Sequence, residues 1–245
     1  MKDRIRKNFS KSVKNYERFA FLQLKAGELL SKRLKLFSGL KPILDLGAGT
    51  GKLSQKFGKV ITLDISFGMC KECRKKGLTT CCGDAEFLPF KDESFGIVFS
   101  NFALQWMDLE KGFREINRVL EYHGVALIST PVKGSLGKLL SAWKKAYREV
   151  FNEDDVLFEF PTESEIFNSF SRVRFKLLEF ERKDFVALFN SPKEAVKYVN
   201  GIGAKNPFRR GRVNKRLIKR FYELFSENGK FPINYKVLFL TLKKI

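Results

Sequence analysis

One histidine in 245 residues leaves this chain almost without the side chain that most often moves protons at neutral pH. His123 sits in the turn 121-EYHGV-125 before a strand-like run, which reads as a structural position. Long hydrophobic runs are missing too. No stretch approaches the roughly 20 apolar residues that cross a bilayer, so no membrane partner is expected. The N-terminal MKDRIRKNFSKSVKNYERF is basic but has neither the apolar core nor the cleavage site of a signal peptide, so a cytoplasmic location is expected. No internal repeat or low-complexity linker is visible. Acidic residues are scarce beside basic ones, 27 against 47, for a formal net charge of +20. Such an excess points to an acidic partner: nucleic acid, an anionic surface or an acidic protein. A solvated basic face is the plain alternative. From Gly201 to Arg220 there are eight basic residues and no acid.

Four cysteines are present: Cys70, Cys73, Cys81 and Cys82. Their spacing invites a zinc reading. Small buried side chains in one helix and one strand explain them better, and no metal is expected. The length suits one domain over residues 1–245. Within it we read a helical lid over 1–38, a cofactor-binding core over 39–131, a substrate-side elaboration over 132–230 and a closing strand over 231–245.

The core alternates strands and helices. Strands are expected at 43–47, 60–64, 79–82, 95–100 and 124–130, with helices near 50–57, 67–76 and 109–120. This pattern implies an α/β fold with a mostly parallel sheet and crossover helices on both faces. Beyond Pro131, helices are expected at 135–150, 162–170, 192–200 and 214–227. Thr162 followed by Glu165 has capping-box form. A strand with one exposed face fits 173–189, and the last strand is 235–244.

The chemistry-bearing stretch is 43-ILDLGAGTGK-52, a buried strand running into a glycine-rich turn. Gly47, Gly49 and Gly51 let the chain turn sharply and let a ligand lie against bare backbone. Asp45 is placed to hold loop amides or, through water, a ligand's amino-acid end. Asp64 ends the next strand, where a carboxylate accepts both hydroxyls of a ribose; capping the following helix is its plain alternative. Asp84, in 83-GDAEFLPF-90, is a third carboxylate after a strand, suited to an exocyclic amine. Asn101 and Phe102 follow the next strand, at the end of the sheet where ligands bind in open α/β folds.

Taken in order, D-L-G-A-G-T-G, D-I-S-x-x-M, G-D-A-E-x-L-P-F and S-F-G-I-V-F-S-N resemble the class I S-adenosylmethionine-dependent methyltransferases over residues 40–131. The third glycine comes too early for the G-x-G-x-x-G of nicotinamide-binding domains. The resemblance implies a Rossmann-like sheet with an antiparallel C-terminal strand and S-adenosyl-L-methionine as cofactor. It implies cofactor contacts from Asp45, Gly47, Ala48, Gly49, Gly51, Asp64, Ile65, Met69, Asp84, Ala85, Asn101 and Phe102.

A narrower resemblance spans nearly the whole chain. F-S-x-x-V-x-x-Y-E-x-x-A-x-L-Q (Phe9 to Gln23), S-N-F-A-L-Q-W, K-G-S-L (Lys133 to Leu136), G-I-G-A (Gly201 to Ala204) and G-K-F-P-I-N-Y look like the malonyl-[acyl-carrier protein] O-methyltransferase family of biotin synthesis. This implies methyl transfer to the free carboxylate of a malonyl thioester, on acyl-carrier protein or coenzyme A. A carboxylate is ionised at neutral pH and needs no strong base, which agrees with the missing histidines. Tyr16 is expected as a lid residue over the transfer site. Arg148 is the first choice for holding the malonyl carboxylate, with Lys133 and Lys144 beside it, and Gln105 and Trp106 are expected to contact the acceptor. The acidic carrier is expected on the basic surface around Arg209–Arg216, with Arg4, Arg6 and Lys7. Methylation of RNA or of a quinone- or lipid-type molecule is the alternative. A cofactor-binding partner subunit without transfer of its own is the non-enzymatic one.

Overall fold

The computed structural model describes residues 2–204 and 211–245. The described strands are β1 (Ile43–Leu46), β2 (Val60–Asp64), β3 (Thr79–Cys82), β4 (Phe95–Asn101), β5 (Leu120–Pro131), β6 (Phe175–Phe189) and β7 (Phe231–Lys244). They form one sheet in the order β3-β2-β1-β4-β5-β7-β6. The first five run parallel; β7 is antiparallel to both β5 and β6. The described helices are α1 (Lys2–Phe19), α2 (Phe21–Ser31), α3 (Phe67–Lys75), α4 (Leu109–Val119), α5 (Gly137–Phe151), α6 (Glu163–Ser171), α7 (Pro192–Gly201) and α8 (Lys215–Phe225).

Strand side chains alternate between two cores, as the two-residue period requires. Ile43, Ile97, Phe99, Val125 and Leu127 point to one face, where α2, α5, α7 and α8 pack. Leu44, Val98, Ala126 and Ile128 point to the other, against α4 and α6. Each such buried aliphatic or aromatic side chain contributes roughly 1.5–3 kcal/mol. α4 shows how local sequence sets an element. The Asp108 side chain accepts from Lys111 N at 3.0 Å to start it. Phe113, Ile116 and Val119 form its buried stripe. The capping box of Thr162 and Glu165 is present at the start of α6. Asn214 caps α8, which buries Leu217, Phe221 and Phe225 at four-residue spacing.

One expected helix does not form. Residues 50–57 hold only a short 3-10 turn at Ser54–Lys56. Gly47, Gly49 and Gly51 all have positive φ, which a right-handed helix cannot use. The Ser54 hydroxyl is drawn to Asp45 instead. The 173–189 segment is strand Phe175–Phe189 at the sheet edge, which explains its exposed alternate residues. The closing strand runs Phe231–Lys244, inside the closing segment expected at 231–245 and four residues longer at its start than the run read at 235–244.

The strand order reverses between β1 and β4, and the crevice beyond their carboxyl ends is where open α/β sheets hold ligands. α1 lies across that crevice. Ser10 Oγ meets Ser66 Oγ at 2.8 Å, and Thr50 donates to Glu17 at 2.8 Å. The G-I-G-A block supports α1 from behind. A Cβ on Gly201 would stand 2.2 Å from the Phe19 ring, so only glycine allows α7 to end so close.

Candidate active site

Three cavities meet under α1. A slot of 80 Å³ runs along the carboxyl ends of β1 and β2, walled by Gly47, Gly49, Asp64, Ile65, Asp84 and Ala85. A recess of 20 Å³ lies beside it, with Asp45, Ala48, Leu53, Asn101 and Gln23 on its wall. A cavity of 480 Å³ opens on the far side, between α1, α5, α7 and α8. Among the described residues, Tyr16 alone is common to the walls of all three. Its ring lies over the glycine turn, 3.4 Å from where a Cβ of Gly49 would be.

The slot is built by backbone geometry. Gly47 N and Ala48 N both donate to Leu63 O, tying the turn to β2. Asp64 accepts from Gly49 N at 2.9 Å through one oxygen and from Ser66 N at 2.8 Å through the other. A carboxylate has about four acceptor positions, so two remain. Ser66, not Asp64, caps α3. Asp84 is held differently from the expectation. Its Oδ1 accepts from Glu86 N at 3.0 Å, and its Oδ2 pairs with the Lys2 ammonium of α1, which also reaches Glu86 at 2.7 Å. Asn101 joins three elements: it accepts from Ser129 Oγ at 2.6 Å and donates to Gln23 O at 3.1 Å. Phe102 has φ +56, an uncommon backbone for a bulky residue, which turns the chain into the cavity wall. Met69 is fully buried in α3, and Gly51 stands against Cys73 and Leu78. Neither lines a described cavity, so both shape the slot from behind.

The buried carboxylates titrate unusually. Burial pushes Asp45 up to about 7, against the help of the Ser54 hydroxyl, with the Asp64 charge adding to the rise. Burial raises Asp64 to about 6, opposed by the two amides it accepts from. Both pKa values lie above the ordinary carboxylate range, so the fold binds extra protons between about pH 4 and 7. Stability from these groups is therefore greatest at low pH and is lost as pH rises through 6 to 7. The ligand-free protein should melt at a higher temperature at pH 6 than at pH 8. A cationic ligand in the slot should pull both values down. Calorimetric titration of S-adenosylmethionine near pH 6.5, in buffers of different ionisation enthalpy, should show proton release; no buffer dependence would contradict this electrostatic picture.

Cys70 and Cys73 are buried and fill structural places, whereas Cys81 is half-buried and Cys82 exposed on the edge strand β3, against the expected burial. Cys70 Sγ donates to Asp64 O and Cys73 Sγ to Gly49 O, each at 3.2 Å. Burial raises the Cys73 thiol to about 11. All four are free, and no metal-holding cluster occurs among the described residues. His123 is exposed against Tyr122 and lines no described cavity.

The large cavity is aromatic and apolar, and its wall carries no aspartate, glutamate, histidine, lysine or cysteine among the described residues. Trp106 packs edge-on against Phe9 at 5.7 Å and lies 4.7 Å from Phe158. Gln105 lines the wall and donates to Phe102 O at 2.8 Å. The three expected cations are not on this wall. Arg148 is 70% exposed and pairs with Asp154. Lys144 reaches Glu159 at 3.6 Å. Lys133 lines only the outer clefts beside α6. The reason is helical phase: α5 turns Leu139, Leu140 and Trp143 inward, and Lys144 and Arg148, four residues apart, share the outward face. Among the described residues, the cation on this wall is Arg4 of α1, read from sequence only as surface charge. Tyr235 was also missed, because a tyrosine in a closing strand carries no signal of the cavity beside it. Of the basic cluster, Arg212 pairs with Glu153 at 3.1 Å, and Lys215 and Arg216 are exposed. Lys205, Arg209 and Arg210 lie outside the described residues.

The donor set suits an adenosine ligand with an amino-acid tail. The two open acceptor positions of Asp64 suit the hydroxyls of a ribose, the bare turn admits close approach, and the polar recess at Asp45 and Asn101 suits a charged tail. The slot, the recess and the cavity adjoin at Tyr16, and sites that bury such ligands measure roughly 300–1,000 Å³.

Residues 44–128 match the family described as methyltransferase domain. The chain is 31% identical to the malonyl-[acyl-carrier protein] O-methyltransferase of Hamiltonella defensa, over 97% of this chain and 93% of the relative. It is also 31% identical to the enzyme of that name from Pectobacterium atrosepticum, over 97% and 95%. Among solved structures, an S-adenosylmethionine-dependent methyltransferase of Thermotoga maritima superposes with a TM-score of 0.57 at 20% identity, over 98% of this chain and all of the other. Geranyl diphosphate C-methyltransferase of Streptomyces coelicolor, solved with S-adenosyl-L-homocysteine, does so at 0.54 and 14% identity, over 90% and 79%. These structures share the fold, and the full-length sequence identity shows that the chain belongs to the malonyl-[acyl-carrier protein] O-methyltransferase family of S-adenosylmethionine-dependent methyltransferases.

Proposed function

We propose that this chain methylates the free carboxylate of a malonyl thioester, presented on acyl-carrier protein, to give the methyl ester primer of biotin synthesis. The observation that carries this reading is the base-free wall of the 480 Å³ cavity. An acceptor bound there meets no carboxylate, imidazole or amine base on that wall, which suits one that arrives already nucleophilic. A carboxylate does. S-adenosylmethionine held by Asp64 and the glycine turn would supply a sulfonium methyl, whose C–S bond would break to leave a neutral thioether as the carboxylate oxygen bonds the carbon, with no proton moved.

The chain's own part is alignment and exclusion of water. Tyr16, at the junction of the three cavities, is the proposed catalytic residue and lid. Burial and the Asp64 and Asp45 charges hold its phenol above the ordinary range, so it stays neutral and serves as a wall, not a base. Asp45, Asp64, Asn101 and the glycine turn fix the cofactor end. Trp106, Gln105 and Phe102 hold the acceptor arm. Arg148 and Lys144, on the outward face of α5, leave carboxylate binding to other residues. Arg212, Lys215 and Arg216, with Arg6 and Lys7 of α1, are the proposed docking face for an acidic carrier. No described helix is long and apolar enough to cross a membrane.

The test is an acceptor panel with methyl-labelled S-adenosylmethionine: malonyl-carrier protein, malonyl-coenzyme A, acetyl-carrier protein and total RNA. Label should enter the malonyl thioesters alone, and salt should slow the carrier reaction more than the coenzyme A reaction. Label in RNA and none in malonyl thioester would overturn the reading.

A further inference from the structure

The cavity is nearly all apolar, yet its inner end holds a polar pair that the protein leaves incomplete. Gln23, buried on α2, lines the cavity, and its Oε1 accepts from the Tyr198 hydroxyl behind it at 3.1 Å. Beside it stands Tyr235 of β7, 2% exposed, on the same wall. Within strict hydrogen-bond geometry the Tyr235 hydroxyl has no partner among the described residues; burial holds the phenol above its ordinary range, and the Gln23 side chain stands near enough to oppose that rise in part. Buried hydroxyls are almost always paired, because leaving one unpaired is costly. The exceptions in a binding cavity point to what the ligand supplies.

Tyr235 is also held firmly. Its ring meets Phe102 edge-on at 5.4 Å and Phe160 at 6.5 Å. Its neighbour Asn234 donates to Gly134 O at 3.0 Å and accepts from Gly137 N at 3.1 Å, fixing the start of α5. Ser135 and Lys236 bond to each other across the same junction. The G-S-L block and the I-N-Y ending thus clamp one another, and the clamp fixes Tyr235 in the cavity wall.

We propose that the Tyr235 hydroxyl is an acceptor-binding donor, giving its hydrogen bond to the carboxylate of the methyl acceptor on the oxygen that does not take the methyl. This rests on the carboxylate reading above. A neutral donor suits the task. It fixes the direction of the attacking oxygen without neutralising the charge that makes it nucleophilic, as an ammonium in contact would. Phe102 links the two ends of this arrangement, since it lines both the cofactor slot and the cavity and packs on Tyr235.

The test is Tyr235→Phe in the full chain, which keeps the ring and removes only the oxygen. kcat/KM for malonyl-carrier protein should fall about 10- to 100-fold, the cost of one hydrogen bond to a charged group. Affinity for S-adenosylmethionine should stay within about twofold, and Tm should be equal or higher, because an unpaired buried hydroxyl is gone. Tyr122→Phe, on an exposed turn, should keep the wild-type rate. An unchanged kcat/KM in Tyr235→Phe would overturn the proposal. So would a loss of activity that comes with lower Tm or weaker cofactor binding, which marks a packing role. If the wild type itself transfers no methyl to a malonyl thioester, the acceptor reading fails and the subsite with it; an active wild type beside an equally active Tyr235→Phe fails the subsite alone.

Discussion

Replacing Asp64 by Asn should weaken S-adenosylmethionine binding by about 100-fold or more while leaving the protein folded. Two charge-assisted hydrogen bonds to a ribose are each worth about 1.5–3 kcal/mol. Asn keeps one acceptor oxygen and turns an NH2 towards either the Gly49 or the Ser66 amide, so one buried amide loses its partner. That costs about 1–3 kcal/mol. The offset is the removal of a carboxylate that burial has already raised to about 6. Near neutral pH these opposing effects nearly cancel in the ligand-free protein. Equilibrium dialysis should therefore show the large loss of affinity, and thermal melting only a small shift. A fall in Tm matching the loss of binding would mean that Asp64 serves the turn and not the ligand.

Tyr16→Ala should lower kcat/KM by about 100- to 1,000-fold, because it removes the one wall shared by the slot, the recess and the cavity and lets water into their junction. Cofactor affinity should change by less than about tenfold, since Asp64 and the glycine turn remain. Tyr16→Phe should retain most of the activity if the ring is the main element. The kcat of the wild type should be flat between pH 7 and 9, because a phenol held above its ordinary range has no proton to give up there. A rising limb lost in Tyr16→Phe would instead make Tyr16 a base and would exclude the alignment account.

Much of this was legible in the sequence, for physical reasons that can be traced residue by residue. The buried strand 43-ILDL-46, the glycine turn after it and the strand ending at Asp64 stand where the sequence placed them, because backbone geometry and strand burial leave a local mark. Thr162 and Glu165 marked the start of α6 for the same reason. The failures are non-local. No pattern near residue 54 says that its hydroxyl will leave the helix ladder for Asp45. Arg148 looked well placed by position along the chain, but the phase of α5, set by Leu139, Leu140 and Trp143 packing inward, turns it to solvent. Lys2 is paired with Asp84 across 82 residues, a contact no local motif encodes. Tyr235 acquires its meaning only when β7 pairs with β5 and carries it to the cavity.

The central claim is that the methyl goes onto a carboxylate oxygen of a malonyl thioester. The most direct measurement is the position of the label in the product after reaction with methyl-labelled S-adenosylmethionine and malonyl-carrier protein. A methyl ester on the malonyl group, seen by mass spectrometry and released as labelled methanol by mild base, is the predicted result. Label that withstands base, or that appears only in RNA, would contradict it.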